Sequence, residues 1–137
     1  MTATPTLPMA PVSWGELIDK ITILEIKAER IAEPAARANV ARELALLREV
    51  AAPVGDQPGL AALVDRLRAV NLALWRIEDD IREKEALAEF DDAFVALARA
   101  VYLTNDERAA IKRRINAALR SELVEEKFHA PSTAPLR

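Results

Sequence analysis

Cysteine is absent from this chain, and with it go disulfide cross-links, thiolate nucleophiles and cysteine-ligated zinc. Glycine is scarce, three in 137 residues, and none sits in a phosphate-cradling loop. The one histidine, His129, falls where the last helix should fray. A general base needs fixed geometry, so His129 reads as a tail residue. No HExxH pattern occurs. No apolar run approaches the ~20 residues of a membrane helix, which argues against membrane insertion. The opening "MTATPTLPMAPV" has neither the cationic nor the apolar region of a secretory signal, so a cytoplasmic protein is expected.

Charge is also in short supply as a net quantity. Twenty-two acids against nineteen bases give a formal −3, which offers no global attraction to nucleic acid or to an anionic membrane. What the chain does have is 51% hydrophobic residues with only 4% aromatics. Its Ala, Leu, Ile and Val recur every three or four positions. That is the composition of one all-α domain with a sizeable core.

Along the chain, Pro5, Pro8 and Pro11 predict an extended, flexible arm over residues 1–12. "HAPSTAPLR" predicts a similar tail over residues 129–137. Residues 13–128 then form a single helical domain. "SWGE" is a capping box in which the Ser13 hydroxyl accepts from the Glu16 amide and the Glu16 carboxylate reaches back, so the first helix starts at Trp14. Its apolar stripe is Leu17, Ile21, Leu24, Ala28 and Ile31, while Ile23 and Ile26 occupy a second side. A helix apolar on two sides is contacted on two sides, centrally in a bundle or at a subunit interface. Pro34 ends this helix and opens the next.

"APVGDQPG" holds two of the eight prolines and two of the three glycines and is the clearest loop. From Leu60 to Ala130 there is neither residue. Thr104, with Glu107 three places on, predicts a helix start, and a softer break is expected over residues 87–92, where the stripe changes phase. The expected architecture is an antiparallel bundle of four to five helices with coiled-coil-like packing.

Helix three carries the stripe Leu60, Leu63, Leu67, Val70, Leu74, Ile77 and Ile81, with Asn71 and Glu78 inside its edge, two turns or about 10 Å apart. Glu25 borders the stripe of helix one, and Glu122 lies between Ile115 and Leu119 in angle on helix five. One reading is a shared polar pocket of Glu25, Glu78 and Glu122 with Asn71, Arg82 and Arg108. The preferred reading is structural: Arg82 pairs with Glu78 along the helix edge, and Asn71 sets register against a neighbour. The acids of "EDDIREKE" spray around their helix and form a solvated face, so no metal site and no cofactor are expected. Arg113 and Arg120 share a side and could grip phosphate, but a solvated face is preferred. Trp14 and Trp75, with Ile23 and Ile26, are the candidate interface residues.

"VSWGELIDKITILEIKAERI", "NLALWRIEDDIREKE" and "FVALARAVYLTNDERAAIKRRIN" running into "SELVEEK" resemble an uncharacterised bacterial family known only as a domain of unknown function. The resemblance spans nearly all of the chain outside the tails and the loop around Gly55. It implies no catalytic residues, and it implies a setting near glycosyltransferase and surface-polysaccharide genes. "ELIDKITILEIKAER" is superficially similar to the first helix of all-helical chorismate mutases, but the inward cations that grip their dicarboxylate are missing here. All-helical nucleoside triphosphate pyrophosphohydrolases pair acids at i, i+3. Glu16 with Asp19 and Asp80 with Glu83 have that spacing but lie mostly off the main stripes. The expectation is a non-catalytic interaction or scaffolding module, a homodimer or partner of another helical protein, with a carboxylate-lined pocket as the alternative.

Overall fold

The computed structural model describes residues 6–127 and 129, and it is all-α. Among the described residues four helices follow in order: α1 (Trp14–Arg30), α2 (Pro34–Ala51), α3 (Leu60–Ala86) and α4 (Asp92–Ala118), with a 3-10 turn at Ala52–Val54. None is long and apolar enough to cross a membrane. Residues 6–12 are exposed and non-helical. The rest of the expected arm, and the tail beyond His129, lie outside the described residues.

α1 begins where the capping pattern placed it. Ser13 Oγ accepts the Glu16 amide at 3.0 Å, but Glu16 does not reach back; its carboxylate takes the Lys112 ammonium of α4 at 2.7 Å. The other two leading amides of α1 find partners at the far end of the chain. Gly15 N donates to Asn116 Oδ1 at 2.7 Å, and Trp14 N donates to Ser121 Oγ at 3.2 Å. Donors that an isolated helix leaves orphaned therefore fasten the start of α1 to the end of α4. Gly15 is needed for that approach, since a Cβ there would lie 2.6 Å from the Lys112 carbonyl. α2 starts at Pro34, with Glu33 accepting the Ala35 and Ala36 amides.

The break expected at Thr104 does not exist. α4 runs through it, because Val101, Thr104, Arg108, Ile111 and Ile115 continue one inward row at spacings of three and four. The softer break is real: α3 ends at Ala86 and Asp91 caps α4 by accepting the Phe94 amide. This turn uses no glycine. Ala88 takes the left-handed conformation at φ 53°, with Glu89 N bonded to Lys84 O, the Schellman pattern that glycine normally serves.

α3 and α4 form a hairpin, and α1 lies against the end that holds Leu60 and Ala118. One side of α1 supplies Ile18 to a core of Leu60, Leu67, Val70, Ile111 and Ile115. Another supplies Leu17, Ile21 and Leu24 to Val40 and Leu44 of α2. The α2 backbone approaches neither hairpin helix closely. α1 is thus the central helix; on the side that carries Ile23 and Ile26, Ile26 is buried and Ile23 is half-buried.

Candidate functional site

Among the described residues five polar or charged ones are buried: Ser13, Asp19, Thr22, Asn71 and Asn116. Ser13 and Asn116 serve the start of α1, as described. Asp19, Thr22 and Asn71 make a second group where α1 crosses the hairpin. Asp19 is 1% exposed. Its Oδ1 accepts Arg108 Nε at 2.9 Å and Asn71 Nδ2 at 2.9 Å, and its Oδ2 accepts Arg108 Nη2. Asn71 also donates to Thr22 Oγ1 at 2.8 Å, and that hydroxyl donates to the Asp19 carbonyl at 2.8 Å. Three helices meet in one fully bonded cluster.

Each member is placed by local structure. Asp19 and Thr22 stand three apart on α1, which puts them on one face, and Asn71 follows Val70 at the edge of the α3 stripe. Arg108 sits one turn before Ile111, so its stem packs towards the core while its tip keeps a wet edge, the side chain being 29% exposed. The Asp19 hydrogen bond, reinforced by the charges of Asp19 and Glu16, raises the Arg108 pKa against the opposing effect of burial. A fork-to-fork pair of this kind has no free carboxylate edge for a substrate or an ion. It holds helix register.

The wet edge of Arg108 opens on a cleft of about 390 Å³ lined by Ile23 of α1, by Asn71, Leu74, Trp75, Glu78, Asp79 and Arg82 of α3, and by Arg108. Four of the six polar candidates therefore come together: Asn71, Glu78, Arg82 and Arg108. Ile23 and Trp75 of the interface candidates join them, both half-buried. Glu78 is not dry. Its side chain is 52% exposed and bonded by Arg82 Nε at 3.0 Å, the helix-edge pair expected from the spacing.

Glu25 and Glu122 do not line this cleft. Glu25 pairs with Arg68 at 3.2 Å and Arg48 at 3.6 Å. Glu122 is not on a helix at all: α4 ends at Ala118, Arg120 turns left-handed at φ 52°, and Ser121 is drawn off to cap α1, which leaves Glu122 exposed. Ile26 is buried in the chain's own interior, and Trp14 packs against both core clusters. Arg113 reaches Glu126 at 3.7 Å and lines a cleft of about 360 Å³ with Arg120. Among the described residues no group of three or more His, Cys, Asp or Glu could hold a metal ion.

Asp19 is the residue that sequence reasoning missed, having set it aside with Glu16 as lying off the stripes. The signal was present. At 100° per residue Asp19 falls between Ile23 and Ile26 in angle, inside the second apolar side of α1. Thr22 borders the same side.

The profile of a family of unknown function (DUF6165) matches residues 9–136. No curated protein and no solved structure matches the chain.

Proposed function

The chain belongs to this family of unknown function, and from that premise we propose that it is a non-catalytic helical interaction module. One observation carries the reading: the α3–α4 hairpin extends beyond α1, and no other described helix covers the half that projects. From Leu72 to Ala110 no side chain is fully buried. Yet this half carries Leu74, Ile77 and Ile81 on α3 and Phe94, Leu97 and Val101 on α4, each half-buried, with Val95 and Tyr102 exposed. Two helices alone cannot dry such faces, and a hairpin of this kind is half of a bundle.

The pocket alternative gains less support. It needed Glu25, Glu78 and Glu122 to converge, and only Glu78 reaches the Trp75 cleft. A helical protein is the partner proposed here rather than a second copy, since residues 72–107 carry ten carboxylates against four cations and two such halves would repel. The glycan-assembly setting and a cytoplasmic location belong to the same proposal, the first through family resemblance alone.

Thermal-shift measurement against divalent metals, nucleotides and nucleotide sugars tests the reading, because any ligand that binds only the folded chain raises its melting temperature. No shift is expected across the panel. A shift that disappears in Trp75→Ala or Arg82→Ala would overturn the proposal in favour of a small-molecule site.

A further inference from the structure

We infer that the Trp75 cleft and the hairpin flank beside it dock a basic amphipathic helix of another protein, an inference that rests on the interaction reading above. Charge complementarity on an apolar site that no other described helix covers points to this occupant. Residues 72–107 hold ten carboxylates against four cations, while the remainder of the chain is net basic, fifteen cations against twelve carboxylates. The acidity is therefore concentrated on the half of the hairpin that no other described helix covers.

That acidity is neutralised only in part, Lys127 reaching Asp106. Arg82 is committed to Glu78, and Lys84 to Glu89 and Asp91. The Lys84 hydrogen bond, with a second from the Phe94 amide, draws the Asp91 pKa down. Asp79, Asp80, Glu83, Glu85 and Glu107 have no cation partner among the described residues. At the cleft itself both cations are spent, Arg82 on Glu78 and Arg108 on Asp19, so Asp79 stands unbalanced at the rim of an apolar floor made by Ile23, Leu74 and Trp75.

Such a site selects its occupant. A second copy related by a two-fold axis would bring an equally acidic hairpin against the first, and like charges brought together oppose docking. Nucleic acid and anionic lipid are repelled for the same reason. A helix with one apolar stripe seats a side chain against Trp75 and sets Lys or Arg against Asp79 and its neighbours, the helix-in-groove mode of recognition.

The test uses the full chain and three 18-residue synthetic helices: a Leu stripe with Lys on the other positions, the same stripe with Glu, and a scrambled Lys version. Binding is read by calorimetry, and the assembly state of the free chain by sedimentation. The Lys helix should bind, the Glu and scrambled versions should not, and the free chain should sediment as a monomer. Trp75→Ala should weaken binding by about 30-fold, as loss of a central aromatic anchor does. Because Trp75→Ala also touches the fold, the exposed Asp79→Asn/Asp80→Asn/Glu83→Gln variant serves beside it. It should keep the wild-type melting temperature while losing about tenfold in affinity, and the loss should shrink at high salt. Equal binding of the Glu helix, unchanged affinity in the charge variant, or a dimer dispersed by Trp75→Ala would each overturn the inference. A silent peptide series with a silent small-molecule panel removes this inference alone; a small-molecule shift removes the reading beneath it.

Discussion

Replacing Arg108 with Met would leave the Asp19 carboxylate, 1% exposed, facing an apolar stem where its guanidinium had been. Breaking a buried ion pair from one side costs about 3–5 kcal/mol, because the remaining charge keeps its desolvation penalty. Two features hold this case near 3 kcal/mol. Asn71 still donates to Asp19 Oδ1, and the cleft beside Arg108 lets water approach. The opposite change, Asp19→Asn, should cost less, about 1–2 kcal/mol, since an amide oxygen can still accept and the guanidinium can turn its charge to solvent. The double variant should cost clearly less than both singles together, by about 1–2 kcal/mol of coupling. Urea unfolding followed by far-UV circular dichroism measures all three, with the slope expected to stay constant if only stability changes. An Arg108→Met loss no larger than that of Asp19→Asn, or singles that simply add, would refute the assignment of Asp19 as the buried member of a locked pair.

Gly15→Ala should destabilise the chain by about 2 kcal/mol or more, because its Cβ meets the Lys112 carbonyl, which is backbone and cannot swing aside; urea unfolding checks this, and a neutral result would mean that α1 does not seat so closely. Glu78→Gln should change stability by less than about 0.5 kcal/mol, as expected of an exposed i, i+4 pair. A larger loss in the same assay would restore Glu78 to a structural role. The Asp91 pKa lies below the ordinary carboxylate value, so its stabilising contribution is present above the unfolded pKa and lost as pH falls through the folded one. The stability difference between wild type and Asp91→Asn should therefore be full near neutrality and vanish in strong acid; a difference that grows on acidification would contradict the sign.

Much of the fold is legible in sequence because it follows from local rules. Ser13 and Glu16 announce α1, Pro34 opens α2, and Gly55 and Gly59 mark the loop before α3. The hairpin turn gave only a weak signal because Ala88 does the work usually given to glycine. Thr104 misled because a capping pattern inside an unbroken apolar row has no helix end to cap. Asn71 was legible as a buried amide and Arg82 as the partner of Glu78, both from spacing along a single helix.

Composition and periodicity by themselves determined that this is an all-α chain and how its residues divide among helical faces. Only the tertiary structure decided which faces are dry. Asp19 is buried and Glu78 is wet although both lie near apolar edges, because α1 crosses the hairpin at Asn71 and Arg108 and reaches no further. Periodicity fixes angles within one helix. Where a second helix lands, and so which polar edge must find a partner and which can stay in water, depends on contacts between residues distant in sequence.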